Sequence, residues 1–218
     1  MAEPEKRITD IQVQKRDPER VSIFLNGEFA FGLTAKLADP LSVGMLLSAG
    51  EITSLQLQDQ TQKALQLSWD QLSRRPRTEK EIREYLGRKQ VPDEVVDSVI
   101  DRLKQLDYVN DASFAAQWIE NRQTFRPRSS IALKYELQQK GVANDIIASA
   151  LLDFENSDAA YAAAEAAMRK FRNRDPETIQ KRIYAYLSRR GFRYETIRAA
   201  VDRLSEEQKN EYSNNRTG

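Results

Sequence analysis

The sequence predicts a mainly α-helical protein: three tandem three-helix repeats in an elongated curved array, preceded by a small three-stranded antiparallel β unit. Three observations predict this fold class. Apolar residues alternate over the first 35 residues, a longer pattern recurs about every 50 residues between residues 60 and 204, and each recurrence has helical apolar spacing. A fixed period of this length indicates stacked units, each too small to bury its apolar face alone.

The alternating N-terminal segment predicts three short strands over residues 6–35. Its strongest signal is Asn26-Gly27 between two alternating runs, because both residues tolerate the positive φ of a two-residue hairpin turn. A sheet this small must cover its apolar face. Residues 33–47 are expected to do so as a short helix broken near Pro40, and a second small helix is expected after residue 48.

Each repeat is predicted to contain three helices. Thr78, Ser129 and Asp175 are expected to cap the second helices, and Gly141 and Gly191 to end two of them. The second helices share apolar pairs spaced 51 and then 50 positions apart: Ile82 and Leu86, Leu133 and Leu137, Ile183 and Leu187. The first helices are expected at 60–74, 111–124 and 158–172, and the third helices at 93–105, 144–153 and 194–204.

These elements predict five segments along the chain. They are an N-terminal unit at 1–58, repeats at 59–110, 111–157 and 158–205, and a polar tail at 206–218 that is expected to be disordered.

Composition excludes several classes of function. The 218 residues include no cysteine and no histidine, so disulfides, thiolate metal sites and histidine-dependent nucleophiles are absent. The N-terminus lacks the apolar stretch of a signal peptide, and no apolar run approaches the roughly 20 residues of a membrane span. We therefore expect a cytoplasmic protein that contacts no membrane, binds no cofactor or metal and is not an enzyme.

The net charge of +1 hides an uneven distribution. Residues 1–59 carry 6 Lys/Arg against 9 Asp/Glu, a net of −3, whereas residues 158–204 carry 11 against 6, a net of +5. This asymmetry suggests that the last third of the chain meets nucleic acid or an acidic protein face. The alternative is that these charged side chains are exposed to water on a helix surface and bind no partner.

Two arginine-rich turns are the first candidate binding sites. Arg75 and Arg77 flank a proline just before the second helix of repeat 1, and Arg126 and Arg128 do the same 51 positions later. The proline extends the chain and leaves both guanidinium groups beside a helix N-terminus, which predicts an anion-binding corner. Because turn residues are usually exposed, reversing the charge at Arg126 and Arg128 is expected to leave the fold intact.

Further candidates lie along or beyond the second helices. They are Arg88, Lys89, Lys134, Lys140, Arg189, Arg190 and Arg193. Basic residues also stabilise helix C-termini, so a structural role competes with binding, least so for the dense run in repeat 3. That run is expected to contribute more to affinity than Arg88 and Lys89. No phosphate-binding loop, dinucleotide fingerprint, metal cluster or nucleophile motif is present.

The repeats resemble a known family. Residues 126–142, RPRSSIALKYELQQKGV, are similar to the central motif of the RecX family of recombinase regulators. Residues 78–86, TEKEIREYL, resemble that family's opening motif, and so does LKQLDYVND at 103–111. The resemblance covers roughly residues 60–204. The β unit resembles an extension that some members have and shorter members lack.

The resemblance implies a monomeric regulator of RecA that acts in homologous recombination, DNA repair and the SOS response. Such a protein would lie in the groove of the RecA–DNA filament and modulate filament growth, ATP hydrolysis or strand exchange, most often by inhibition. RecA, not this chain, would carry the nucleotide.

Two alternatives compete with this interpretation. In the first, the chain is a DNA-binding module whose arginines contact the phosphates of single- or double-stranded DNA directly. In the second, which the composition disfavours, it is an enzyme that uses carboxylates. Preferential binding to RecA filaments over bare DNA, and the salt dependence of binding, distinguish the first alternative from a filament regulator.

Overall fold

The computed structural model describes residues 4–171 and 173–214, with side chains as far as Glu207. The chain divides into two compact units. The first unit consists of the described residues up to Pro76 together with Ile82–Val109. The second unit consists of Arg77–Glu81 together with the described residues from Asn110 onward.

The N-terminal sheet contains the three predicted strands and one more. The strands are β1 (Lys6–Gln14), β2 (Asp17–Leu25), β3 (Glu28–Thr34) and β4 (Leu46–Leu47), in the antiparallel order β3-β2-β1-β4. Asn26 and Gly27 form the β2–β3 turn with φ of 52° and 92°, as the hairpin signal predicts. Two-residue β4 was missed because it is too short to show a period of two.

Two helices, one after β3 and one after β4, cover the sheet. They are α1 (Ala35–Ala38) and α2 (Ala49–Leu72), and Ile52 and Leu55 of α2 pack on the sheet's apolar core. The separate small helix and first repeat helix expected from the sequence are one 24-residue helix, so that prediction is wrong. No glycine or proline lies between residues 51 and 75 to break it. The predicted boundary after residue 58 falls inside α2.

A buried carboxylate joins α2 to the sheet. Asp59 is only 2% exposed, and its oxygens accept hydrogen bonds from Arg20 Nη1 and Nη2 of β2 at 3.1 and 3.0 Å. They also accept one from the backbone N–H of Thr34 at 2.9 Å, and Lys63 Nζ lies 2.8 Å away. Every lone pair of the carboxylate therefore faces a donor, which is the condition under which a buried charge is tolerated.

The rest of the first unit holds the core of repeat 1. The C-terminal half of α2 packs with α3 (Glu79–Arg88) and α4 (Asp93–Gln105). Ile82 and Leu86 are fully buried there, as their helical spacing predicts. Between these two helices, Gln90 adopts a left-handed φ of 59°.

The second unit holds two more three-helix groups. Their helices are α5 (Asp111–Phe125), α6 (Ser130–Gln139), α7 (Asn144–Ala150), α8 (Asn156–Phe171), α9 (Pro176–Ser188) and α10 (Tyr194–Asn214). The predicted core residues Leu133, Leu137, Ile183 and Leu187 are buried. The buried face of α8 consists entirely of alanine, which permits close helix packing. The three helical repeats of the predicted fold class are thus confirmed.

The last helix is longer than the sequence pattern predicts. α10 continues ten residues past the expected end at 204, so residues 206–214 of the predicted tail are helical, and residues 215–218 lie outside the described part of the chain. Glu206 and Glu207 are good helix formers, and Arg203 Nε pairs with Glu207 at 3.1 Å one turn away.

Candidate functional site

The N-terminus of α3 is capped from two sides. Thr78 is fully buried, and its Oγ1 accepts a hydrogen bond from the backbone N–H of Glu81 at 3.2 Å. The backbone N–H of Glu79 donates to Asp111 Oδ1 at 2.9 Å. The cap thus combines a residue of the turn with the first residue of α5.

The N-terminus of α6 repeats this arrangement. Ser129 is 2% exposed and accepts from the backbone N–H of Ala132 at 3.2 Å, while Ser130 N–H donates to Asn156 Oδ1 at 2.9 Å. In both helices two first-turn amides are already bonded to the protein. These two amides are therefore not open to an external anion, and an anion at the predicted corner would depend mainly on the guanidinium groups beside it.

Each cap also contacts the basic end of a second helix one repeat later. Thr78 Oγ1 donates to the carbonyl oxygen of Lys140 at 2.8 Å, and the Ser129 N–H donates to that of Arg190 at 3.1 Å. The predicted basic residues at 140 and 190 are thereby brought to the turns at 77–78 and 126–129. The sequence period alone does not reveal this pairing.

Lys140 is held inside the protein by its surroundings. Its Nζ pairs with Glu81 at 2.9 Å and lies 4.6 Å from the ring centroid of Trp118 and 5.6 Å from that of Phe114. A cation in contact with both a carboxylate and aromatic faces has little freedom to reach a partner. We interpret Lys140 as a structural residue that holds the end of α6 against the cap of α3.

The carboxylate of Glu136 contacts three donors, two on α5 and one in the second arginine turn. Its carboxylate accepts from Trp118 Nε1 at 2.7 Å and Arg122 Nε at 2.8 Å, and Arg128 Nε lies 2.9 Å away. Pro127 is buried beside this cluster. Arg128 is thus half-buried and paired rather than free in an exposed turn. Arg128→Glu would place a second carboxylate beside that of Glu136, so the structure leads us to expect a loss of stability from this variant.

Replacing Glu136 with glutamine should lower the free energy of unfolding by about 1–3 kcal/mol, because charge-assisted hydrogen bonds to two arginines become neutral ones. Denaturant unfolding followed by circular dichroism measures the change. Glu120 is exposed on α5, and Glu120→Gln should stay within about 0.5 kcal/mol of wild type. Equal effects of the two variants would show that Glu136 does not hold the cluster together.

Arg190 is the third arginine of this region. Its Nη2 donates to Tyr186 Oη at 2.6 Å, and its guanidinium carbon lies 3.8 Å from the Tyr186 ring centroid. Burial lowers the pKa of the Arg190 guanidinium from its ordinary value, and the positive charges of Arg128 and Arg126 lower it further, while Tyr186 opposes the shift. Arg126, Arg128 and Arg190 therefore form one positively charged cluster.

Four of the predicted site residues in the second unit are exposed: Arg126, Lys134, Arg189 and Arg193. Within the described part of the chain, their side chains form no hydrogen bond or ion pair. We call these four the accessible basic residues. Unlike Arg128 and Lys140, they are available to an external anion.

The other predicted site residues, three in the first unit and Arg77 in the second, differ in exposure and in contacts. Arg75 is exposed, and its Nη1 donates to the carbonyl of Pro76 at 2.9 Å. Arg88 and Lys89 are exposed at the end of α3, where Lys89 Nζ lies 5.9 Å from the Tyr85 ring centroid. Arg77, in the second unit, is half-buried.

Glu136 is a determinant of the site that was not predicted from the sequence. A signal existed, because the equivalent positions of repeats 1 and 3 hold Tyr85 and Tyr186, so only repeat 2 has a charge there.

Between α6 and α10 lies an open recess of about 350 Å³, lined in part by Ile131, Phe192 and Arg193. Over residues 4–171 and 173–207, we find no group of three or more acidic side chains that could hold a metal ion. None of the described helices has the length and apolar character needed to cross a membrane.

Comparison with known proteins identifies the family. The N-terminal domain of regulatory protein RecX matches residues 6–39, and the first, second and third three-helix domains of RecX match residues 64–103, 110–151 and 155–201. Regulatory protein RecX of Bacillus pumilus strain SAFR-032 is 33% identical over 209 residues, covering 94% of this chain and 80% of that protein. The chain belongs to the RecX family. Regulatory protein RecX of Bacillus subtilis strain 168 is 31% identical over 205 residues, which are 92% of this chain and 78% of the relative.

Solved structures of RecX proteins share the fold. A crystal structure of regulatory protein RecX has a TM-score of 0.67 and 26% identity, covering 90% of this chain and 99% of its own. RecX from Lactobacillus salivarius has a TM-score of 0.59 at 21% identity over 68% of this chain and 98% of its own, and shows likeness of fold. The relatives are named as regulatory proteins, so a regulatory role follows for this RecX-family chain.

Proposed function

We propose that this protein regulates RecA by binding the RecA–DNA filament through its helical repeats. The observation that carries the proposal is membership of the RecX family along most of the chain. The sequence resemblance implies that members of this family modulate RecA. The regulator acts in the cytoplasm, as a monomer, and most often inhibits.

The accessible basic residues support this proposal physically. Arg126, Lys134, Arg189 and Arg193 are exposed cations, and residues 158–204 carry a net charge of +5. A filament of RecA on DNA offers phosphates and carboxylates, both of which form charge-assisted hydrogen bonds with arginine. Such a surface accelerates association with an acidic partner.

A catalytic role is not part of the proposal. The relatives are named as regulators. In the proposed function RecA, and not this chain, would supply the nucleotide chemistry. This chain would act by occupying a surface of the filament and changing the equilibrium between filament states.

Co-sedimentation with RecA assembled on single-stranded DNA tests the proposal, with the same DNA lacking RecA as the comparison. We expect much stronger binding to the filament than to bare DNA, together with a change in the rate of ATP hydrolysis by RecA. Equal binding to both would favour the direct DNA-binding alternative, and no binding to the filament would exclude the proposed function.

Reversing two accessible charges, Arg126→Glu with Arg189→Glu, should weaken filament binding about tenfold, since an exposed ion pair contributes up to about 1 kcal/mol and reversal adds repulsion. The effect should shrink as salt is added. Lys15→Glu with Lys36→Glu makes the same charge change at exposed positions of the first unit and is the matched control. If both double variants lose affinity equally, net charge and not the position of the accessible basic residues controls binding, and if neither loses affinity these residues do not contribute.

A further inference from the structure

Consecutive repeats are joined through their second helices, and the contact has the same construction twice. Thr78 Oγ1, at the start of α3, donates to the carbonyl oxygen of Lys140, at the end of α6. The Ser129 N–H, at the start of α6, donates to that of Arg190, at the end of α9. We call this contact the repeat junction. Because α6 has both halves of it, one at each end, a unit of this kind can join further copies head to tail without limit.

Glycine lets the two helices of a repeat junction approach closely. Gly141 and Gly191 directly follow the two acceptor residues and have φ of +83° and +85°. A Cβ on Gly141 would lie 2.5 Å from Lys80 Cβ. A Cβ on Gly191 would lie 2.7 Å from Ser129 Oγ. Packed atoms do not come this close, so the helix start would have to move away. The repeat junction therefore excludes a side chain at this position.

The end of α3 has the backbone of a repeat junction but not its glycine. The same two backbone hydrogen bonds close the turns after α3, α6 and α9, and the equivalent residue after α3 is Gln90, with a φ of 59°. Gln90 and the preceding Lys89 are exposed. Lys140 and Arg190, which each contact a helix start, are half-buried. A helix start from another molecule would meet the side chain of Gln90 where the two formed junctions have none.

The start of α9 lacks the donors of a repeat junction. Counted back from the shared apolar pair of the second helices, Ile179 occupies the position of Thr78 and Ser129. It has no hydroxyl, and its N–H donates to the carbonyl oxygen of Asp175 inside the helix at 2.9 Å. Relative to that apolar pair, α9 begins one turn earlier than α3 and α6. A helical turn therefore occupies the place of the cap.

We infer that the series of three repeats is closed at both ends against a second copy of this chain. The end of α3 has a side chain where the repeat junction needs glycine, and the start of α9 has an extra helical turn where the junction needs a Ser or Thr cap. A head-to-tail contact that does not close into a ring produces fibres. Closure of both ends prevents such growth and leaves the repeats joined within the chain. The inference involves no RecA and is independent of the proposed function.

Restoring both missing halves tests the inference. Gln90→Gly removes the side chain at the end of α3. Replacing residues 172–179 with the sequence of residues 126–129 gives α9 a serine cap four residues before Ile183, which is the spacing found in repeat 2. We call this second change the serine-cap exchange. The variant with both changes should associate head to tail, so its average mass in analytical ultracentrifugation should rise with concentration, whereas wild type should keep the mass of a monomer.

Two control variants isolate the role of the side chain at position 90. The serine-cap exchange alone keeps Gln90, and its combination with Gln90→Ala keeps a Cβ, so both controls should remain monomeric. Association of either control as strong as that of the double variant would show that a side chain at this position does not close the series. A double variant that folds cooperatively yet stays monomeric up to its solubility limit would overturn the inference as well.

A second measurement uses single substitutions within the chain. Gly141→Gln places the residue from the end of α3 in a formed junction and should lower the melting temperature by more than Gly44→Gln. Gly44 has a φ of +95° and no atom within 4 Å of its would-be Cβ, so its replacement shows the backbone cost alone. Gln90→Gly relieves the same backbone cost and should raise the melting temperature by a few degrees. Equal losses for Gly141→Gln and Gly44→Gln would show that the junction accepts glutamine, and that result overturns the inference even where the serine-cap exchange does not fold.

Discussion

Replacing Asp59 with alanine should lower the free energy of unfolding by about 3–5 kcal/mol. The side chain of Arg20 is only 15% exposed, and its guanidinium would lose both of its bonds to the carboxylate. Removing one partner of a buried ion pair leaves an uncompensated charge, which costs more than the pair contributed. The backbone N–H of Thr34 would lose its acceptor as well. Urea unfolding followed by circular dichroism measures the loss.

Two controls make this result specific. Asp97 is 63% exposed and pairs with Arg83 in the same unit, so Asp97→Ala should cost within about 0.5 kcal/mol. Replacing Arg20 and Asp59 together with apolar residues should recover part of the loss, because no buried charge remains unpaired. An Asp59→Ala variant as stable as Asp97→Ala would show that the buried pair does not fix the sheet to α2.

The same carboxylate should make the first unit sensitive to acid. Burial alone would raise the pKa of Asp59, but the hydrogen bonds and charges of Arg20 and Lys63 outweigh it and hold the pKa below its ordinary value. A depressed pKa means that the stabilisation is complete above the unfolded value of about 3.9 and is lost as the pH falls through the folded value. Wild type should therefore lose more stability than Asp59→Ala between about pH 5 and pH 2.

Replacing Gly191 with alanine should lower the free energy of unfolding by about 2–5 kcal/mol. Gly191 has a φ of +85°, where a side chain costs about 1–2 kcal/mol. A Cβ there would lie 2.7 Å from Ser129 Oγ and 3.0 Å from the Ala132 Cβ, which adds about 1–3 kcal/mol of overpacking. Because Ser129 caps α6, the substitution should also disturb the second arginine turn. Thermal and urea unfolding report the loss of stability.

Other glycines supply matched controls for the two causes. Gly44 has a φ of +95° with no atom within 4 Å of its would-be Cβ, so Gly44→Ala should show only the backbone cost. Gly87 lies inside α3 with equally open space, and Gly87→Ala should stabilise by up to about 1 kcal/mol. If Gly191→Ala costs no more than Gly44→Ala, the contact with the α6 cap has no energetic weight.

Local signals explain which parts of the fold could be predicted. Asn26-Gly27 determines its own turn, and the apolar spacing of Leu133 and Leu137 determines which face of α6 is buried, since both effects act over a few residues. The continuity of α2 was not predicted, because its two halves pack against different elements and the apolar spacing does not show whether the helix breaks between them. One half of that helix packs on a sheet and the other on helices.

The candidate site was predictable only as a set of residue types. The spacing of the arginine turns identified Arg126 and Arg128, but it does not reveal that Glu136 of α6 pairs with Arg128 and leaves Arg126 exposed. Likewise, Asp111 and Asn156 occupy amides that the sequence left open for an anion. Pairing of this kind decides which of these groups stay open to an external anion, and it becomes visible only in three dimensions.

The continuous helix α2 connects the N-terminal sheet rigidly to the first repeat. A helix of 24 residues is about 36 Å long and resists bending. Its N-terminal half packs on the sheet, Asp59 near its middle bonds to β2 and β3, and its C-terminal half packs on α3 and α4. A molecule that binds the sheet and rotates it will therefore rotate repeat 1 as well. Attaching a probe or tether to the strands gives control over the orientation of that repeat without touching any of its helices.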